Sequence, residues 1–188
     1  ITLLSFGSDR NGKNKHTLMM KYISVWNDNI NDNYNKWIPF TDNKNNPIVI
    51  GRDENHYYFG VRAVIGGNNN NLLFITYYPY NISLFNLNTF QFIQHHILPT
   101  RNYICYHCFV LKSENVQEQE KNYEMILFCG NTGLLIEYNE YNNIFRFHQL
   151  HICYDIIPLR NYAYVCINNI ILFFGGCGLN SILSVSKS

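Results

Sequence analysis

The sequence predicts an all-β repeat protein, on three observations. Apolar and polar residues alternate in short runs bounded by Gly, Asn or Pro, as in residues 72–78 and 124–129. This period of two with turn punctuation is typical of β-strands. No stretch shows the i, i+3, i+4, i+7 apolar spacing of a helix over three turns. A motif around Arg101 also recurs around Arg160, which indicates internal repetition.

The composition is typical of a folded globular protein, and it argues against nucleic-acid and membrane partners. Hydrophobic residues make up 47% of the 188 residues and charged residues only 14%, against a usual charged share of about 25%. A net charge of +1 without clustered Lys and Arg predicts no nucleic-acid partner. The apolar runs, such as residues 170–174, are far shorter than the ~18 residues of a membrane span, and no signal-peptide pattern is present. We therefore expect a cytoplasmic protein with no membrane partner.

Asparagine and cysteine add local detail. The chain has 29 Asn, including the run 68–71, and we expect these clusters to mark turns and loops. The six cysteines lie in or beside apolar strand-like runs, so we expect buried free thiols that behave as small hydrophobic side chains, kept reduced inside a cell. They are Cys105, Cys108, Cys129, Cys153, Cys166 and Cys177.

The repeat can be followed strand by strand. Residues 98–103 and 157–162 both have the pattern apolar-Pro-x-Arg-Asn-Tyr, and each is followed by two strand-like runs, of which the second ends in Gly. A third run carries an aromatic residue and Asn, and a fourth carries aromatic residues before the next Pro and Arg. A four-stranded repeat of about 40–50 residues is typical of the blades of a β-propeller. Residues 12–16 and 112–121 are predicted to be surface loops within the first and third repeats.

These repeats resemble those of the Kelch family, which have an Arg before the first strand, a Gly-Gly pair closing the second, and then a Tyr and a Trp. Arg160 with Gly175-Gly176 matches this pattern well, and Arg101 with Gly130 and Tyr138 matches in part. Trp26, beside Val25 and Asn27, and Trp37 correspond to the aromatic pair of a fainter first copy. The sequence departs from the pattern at three places: Thr76-Tyr77 replaces a Gly-Gly pair, and Phe92 and Phe147 each replace a Trp.

The resemblance implies a β-propeller segment of about three to four four-stranded blades. The expected units are a partial blade at 1–46, complete blades at 47–99 and 100–157, and a partial blade at 158–188. Complete propellers have about 4–8 blades, so we expect this segment to belong to a larger ring. The edge strands at the two ends of such an incomplete ring would then have unpaired backbone groups that can pair with other strands.

Motifs for catalysis are missing from the sequence. It contains no G-x-S-x-G, no G-x-x-x-x-G-K-[ST] and no G-x-G-x-x-G, so we predict no catalytic residues, no cofactor and no enzyme activity. Cys105 and Cys108 form only half of a zinc motif, and residues three apart on a strand point to opposite faces, so we predict no metal site. We expect the histidines to be exposed or capped near blade edges; they include His95, His96, His107, His148 and His151.

Three arginines are the candidate binding residues. Arg52, Arg101 and Arg160 each precede the first strand of a predicted blade. The Kelch resemblance implies that such arginines line a rim or central funnel and hold acidic peptides, for which the bidentate guanidinium is suited. The alternative is that each arginine ties its own turn to a neighbouring blade.

We therefore predict a non-catalytic scaffold or adaptor that binds a protein or peptide partner through loops on one face. One alternative is a propeller enzyme, similar to a copper oxidase or a hydrolase, with His, Tyr or carboxylate side chains of perturbed pKa at a central channel. Another is a purely architectural segment whose partner is the rest of its own chain.

Overall fold

The computed structural model describes residues 1–24, 26, 34–51, 56–112, 122–152 and 161–176. In this part of the chain, strands form four antiparallel sheets and no helix occurs. The prediction of an all-β protein is therefore confirmed. The described residues contain no helix with the length and apolar character needed to span a membrane.

The strands follow one another in each sheet in the order of the chain. In chain order they are β1 (Thr2–Gly7), β2 (His16–Lys21), β3 (Ile38–Pro39), β4 (Tyr57–Gly66), β5 (Leu72–Tyr78), β6 (Asn81–Asn86), β7 (Gln91–Ile97), β8 (Cys108–Leu111), β9 (Asn122–Cys129), β10 (Thr132–Asn139), β11 (Ile144–Gln149), β12 (Ala163–Ile167) and β13 (Ile170–Phe174). The first sheet is β1-β2-β3, the second β4-β5-β6-β7, the third β8-β9-β10-β11 and the fourth β12-β13. Each sheet is thus a meander of consecutive strands.

The chain divides into two compact units, of which the first spans Ile1–Phe59. In this unit the rings of Phe6, on β1, and Tyr58, on β4, lie 5.9 Å apart. The buried hydroxyl of Thr17 accepts a hydrogen bond of 2.9 Å from the backbone N–H of Ile50. This bond satisfies a buried backbone donor that lies outside the sheet ladder.

The second unit spans Gly60–Ser188 and contains the third sheet between two cores. Successive side chains of β9 point alternately into the two cores, as expected from the period of two along a strand. One core joins Met125 and Leu127 to second-sheet residues, and the other joins Ile126 and Phe128 to fourth-sheet residues. Second-sheet members of the first core are Leu72, Phe74, Ile82 and Leu84, and fourth-sheet members of the other are Tyr164, Cys166, Ile171 and Phe173.

The packing on both faces of the third sheet stabilises the second unit. A fully buried Leu, Ile, Phe or Met side chain contributes about 1.5–3 kcal/mol relative to an exposed one. Phe74, Met125, Leu127 and Ile136 are all completely buried in the first of these cores. The third sheet therefore acts as the central layer of the second unit.

Asparagine marks the turns, as the sequence predicts. Of the ten described non-glycine residues with positive φ, eight are Asn; Asn tolerates this left-handed conformation better than most residues. Asn168 and Asn169, with φ of 50° and 65°, form the two-residue turn between β12 and β13. Positive φ at both positions is the requirement of a type I′ hairpin turn.

Two strand predictions need correction. The strand predicted to follow the motif at 98–103 begins only at Cys108, because Tyr106 has a φ of 51° and donates its backbone N–H to the carbonyl of Gly60 at 2.9 Å. In the first sheet, the strand after β1 is His16–Lys21, which precedes Trp26, and Trp26 itself is 90% exposed. Most of the predicted loop at 112–121 lies outside the described residues.

Candidate functional site

Segment 98–107, between β7 and β8, gathers aromatic side chains at one end of the second and third sheets. Three backbone hydrogen bonds hold it in place. Leu98 donates to the carbonyl of Tyr80 at 2.7 Å, Ile104 to that of Pro79 at 2.8 Å, and Tyr106 to that of Gly60 at 2.9 Å. The segment is thereby fixed to both the β5–β6 turn and the middle of β4.

Three tyrosines pack against one another on this segment and the β5–β6 turn. The Tyr103 ring lies 5.2 Å from that of Tyr78 and 6.0 Å from that of Tyr80, the second pair being nearly parallel at 22°. Tyr103 is 63% exposed, and the other two are half-buried. We call Tyr78, Tyr80 and Tyr103 the tyrosine patch. It presents aromatic surface to solvent while its rings are already ordered by contact.

Arg62, on β4, lies against the same segment. Its guanidinium carbon is 5.6 Å from the centre of the Tyr106 ring, within cation–π range. Nη1 donates to the carbonyl of Val61 at 3.0 Å. Among the described residues no carboxylate lies within ion-pair distance of Arg62. The ring of Tyr106 therefore helps to position Arg62, and no acidic side chain in the described part of the chain neutralises its charge.

His107, which the sequence predicts to be exposed or capped, lies next to this cluster, is buried, and has one ring nitrogen capped by a hydroxyl. Its Nε2 lies 2.6 Å from the hydroxyl of Thr76, which is also within 3.3 Å of the carbonyl of Arg62. Nδ1 has no hydrogen-bond partner among the described residues. Burial, with a smaller contribution from Arg62, lowers the pKa of His107 to about 3. The imidazole is therefore neutral at physiological pH.

Burial also keeps the neighbouring thiols and phenols uncharged. It raises the pKa of Cys108 to about 12, and it raises the pKa values of Cys105 and Tyr164 as well. Each of these groups is in its neutral form at pH 7. Arg62 is consequently the charged group of the cluster.

The predicted binding arginines are placed differently. Arg101 is exposed in the bend of segment 98–107. Its neighbour Asn102 binds the β9–β10 turn, donating from Nδ2 to Asn131 and, at 2.7 Å, to the hydroxyl of Thr132. Arg52 and Arg160 lie outside the described residues.

Sequence reasoning missed the tyrosine patch, Arg62 and the burial of His107. Arg62 did carry a signal, since it is the one charged residue within the ten-residue strand Tyr57–Gly66. A charge in the middle of such a strand needs a specific environment. Tyr78 and Tyr80 flank Pro79 in a turn, but their contact with Tyr103 depends on a segment that is distant in sequence.

Other candidate chemistry is limited in the described residues. The described cysteines are free thiols, and no group of three or more His, Cys, Asp or Glu side chains in this part of the chain is arranged to hold a metal ion. Ser83 lies 2.7 Å from Nδ1 of His95 and 3.0 Å from the hydroxyl of Tyr77. Ser83 is completely buried, so a substrate has no access to its hydroxyl.

Comparison of the chain with protein-family models, with curated proteins and with solved structures finds no match.

Proposed function

We propose that the protein is a non-catalytic interaction module that holds a protein or peptide partner against the tyrosine patch and Arg62. The observation that carries this proposal is the packing of Tyr103 against Tyr78 and Tyr80, on the segment that also bears the Arg62–Tyr106 contact. Tyr and Arg are enriched among the residues that dominate binding energy at protein interfaces. Rings that are ordered before binding lose little conformational entropy when a partner arrives.

The architecture supports a scaffold of Kelch-like propeller blades. The second and third sheets are each four-stranded meanders, and they fall within residues 47–99 and 100–157. The third sheet packs face to face with its neighbours on both sides. The first strands β12 and β8 are joined by the Tyr164 hydroxyl, which donates to the carbonyl of Phe109 at 3.4 Å; this contact is consistent with first strands that lie near a common axis, as in a propeller.

Arg62 suggests the chemistry of the partner. It is half-buried, it has no described acidic partner, and the titratable groups around it are neutral. A carboxylate from a partner would meet a guanidinium that is shielded from bulk water, where charge pairing is stronger than at a fully exposed site. We therefore propose an acidic peptide whose backbone and apolar groups contact the tyrosines.

A catalytic role has less support. General acid–base chemistry needs a group whose pKa lies near the working pH. Burial lowers the pKa of His107 and raises the pKa values of Cys108 and Tyr164, so none of the three titrates near pH 7. The Ser83–His95 pair is closed to a substrate by the burial of Ser83. A cytoplasmic location remains a prediction from the short apolar runs and the missing signal-peptide pattern of the sequence.

Selection of peptides from a random display library on the immobilised chain tests the proposal. We expect enriched peptides to be acidic and their affinity to fall at least about tenfold for Tyr103→Ala and for Arg62→Gln. Tyr141→Ala is the matched control, because Tyr141 is 95% exposed in the β10–β11 turn outside the patch. No enrichment, or equal losses for Tyr103→Ala and Tyr141→Ala, would contradict the proposal.

A further inference from the structure

The rings of the tyrosine patch touch one another and leave part of their surface to solvent. The Tyr103 ring lies 5.2 Å from that of Tyr78 and 6.0 Å from that of Tyr80, and Tyr103 is 63% exposed. These are the distances of aromatic rings in contact. No gap therefore remains between Tyr103 and either neighbour for a cation of the kind that aromatic cages hold. The patch offers a surface for stacking.

The three segments that build the site carry only positive charges. Arg101 is exposed in segment 98–107, and Arg62 on β4 is half-buried against the same segment. No Asp or Glu occurs in these segments, which are residues 60–66, 76–82 and 98–107. Charge complementarity therefore favours a partner that carries carboxylates and disfavours a basic one.

The backbone of segment 98–107 is occupied by hydrogen bonds inside the protein. Five of its amides donate to other groups of the chain; they are those of Leu98, Thr100, Asn102, Ile104 and Tyr106. Pro99 has no amide hydrogen, and no strand occurs within residues 98–107. A partner that adds a strand needs a row of unused backbone groups, which this segment does not offer. Recognition at the patch therefore depends on side chains.

We propose that the tyrosine patch binds a proline-rich segment in the polyproline II conformation, with acidic side chains that reach Arg62 and Arg101; this inference rests on the proposed function. Polyproline II has no internal hydrogen bonds, and its backbone carbonyls are open to solvent. Such carbonyls can accept hydrogen bonds from tyrosine hydroxyls without a strand ladder. Proline-rich segments dock in this way on surfaces lined by aromatic rings.

A rigid patch suits a partner that is itself rigid. The tyrosine rings are ordered by contact before binding, and a proline-rich segment largely holds its bound conformation in solution. Both sides therefore lose little conformational entropy in the complex. Polyproline II has three residues per turn, so prolines at i and i+3 lie on one face about 9 Å apart. We expect this proline spacing, with Asp or Glu at neighbouring positions.

Selection from two peptide display libraries on the immobilised chain tests the inference. One library has proline fixed at i and i+3, the other has alanine at the same positions, and all other positions are random. We expect acidic peptides from the proline library, with an affinity that falls at least about tenfold when both prolines are replaced by alanine.

Variants of the chain test the role of the flat ring. Tyr103→Leu should weaken binding of the selected peptides at least about tenfold, because leucine is apolar but has no flat ring on which proline can stack. Tyr103→Phe keeps the ring and should lose much less affinity. Tyr141→Leu is the matched control, because Tyr141 is 95% exposed in the β10–β11 turn outside the patch, and it should bind like the wild type.

The outcomes separate this inference from the proposed function. Peptides from the alanine library that bind as tightly as those from the proline library, and still need Tyr103 and Arg62, would overturn the proline inference alone. No enrichment from either library, or unchanged affinity of Tyr103→Leu, would overturn both proposals. Circular dichroism verifies that the variants are folded. If Tyr103→Leu does not fold, the comparison of proline and alanine peptides on the wild-type chain decides.

Discussion

The imidazole of His107 is buried and neutral, which makes stability depend on pH. Its pKa is about 3 in the folded protein and about 6.5 in an unfolded chain. Between these values the unfolded chain binds a proton that the folded chain does not. The free energy of unfolding therefore falls as pH drops from about 6.5 towards 3, by about 1.4 kcal/mol per pH unit from this group.

His107→Gln is expected to remove this contribution, since Gln does not titrate. Urea unfolding of the wild type and the variant at several pH values between 7 and 4 would give a smaller loss of stability for the variant. His151→Gln is the control, because His151 is exposed. Parallel pH profiles for His107→Gln and the wild type would contradict the assignment.

The hydroxyl of Tyr162 links the fourth-sheet segment to the third sheet. It accepts a hydrogen bond of 3.2 Å from the N–H of Cys108 and donates one of 2.9 Å to the carbonyl of Phe128. Burial raises the pKa of this phenol, so the proton needed for donation is retained. The hydroxyl thus satisfies two backbone groups at the edge of a core.

Tyr162→Phe should leave both backbone groups without this partner and lower the free energy of unfolding by about 1–3 kcal/mol. Chemical denaturation followed by tyrosine fluorescence or circular dichroism measures the loss. Tyr103→Phe is the matched control, because its ring is 63% exposed, and it should change stability little. A loss of equal size in the two variants would show that the Tyr162 hydroxyl has no special role.

At the scale of elements, Gly60 determines how segment 98–107 meets β4. Its φ is 64°, and a Cβ at this position would lie 2.4 Å from Sγ of Cys105 and 2.8 Å from the N of Tyr106. The close approach permits the Tyr106–Gly60 hydrogen bond. Only glycine fits there without moving the segment.

Gly60→Ala should therefore destabilise the protein more than Gly130→Ala does. Gly130 also has a positive φ, of 57°, but a Cβ there would meet nothing within 4 Å. Gly130→Ala should cost about 1 kcal/mol from backbone strain alone, and the excess for Gly60→Ala measures the close contact. Urea denaturation of both variants tests this, and equal costs would exclude a special role for the approach of Gly60 to Tyr106.

Local alternation was enough to predict most strands. The run at 124–129 lies within β9, and the run at 72–78 coincides with β5, because alternation and turn residues are properties of neighbouring residues. The start of β8 could not be predicted in this way. It depends on the left-handed Tyr106 and its bond to Gly60, and such contacts between distant parts of the chain leave no periodic signal.

At the scale of the whole molecule, the candidate site was only partly predictable. The sequence predicted binding through loops on one face, and one of its candidate binding residues, Arg101, lies in segment 98–107 together with Tyr103. The tyrosine patch and the Arg62–Tyr106 contact need the β5–β6 turn and β4 to meet that segment. The stacking of sheets brings them together, and one sequence does not disclose which sheets stack.

Hydrogen exchange of the chain with and without its tightest display-selected peptide would show whether the tyrosine patch and Arg62 bind a protein partner. We expect the peptide to slow exchange of amides in segment 98–107, in the β5–β6 turn and around Arg62, and to leave β12 and β13 unchanged. Slowed exchange confined to β12 and β13, or to the first unit, would contradict it and would place the binding surface elsewhere.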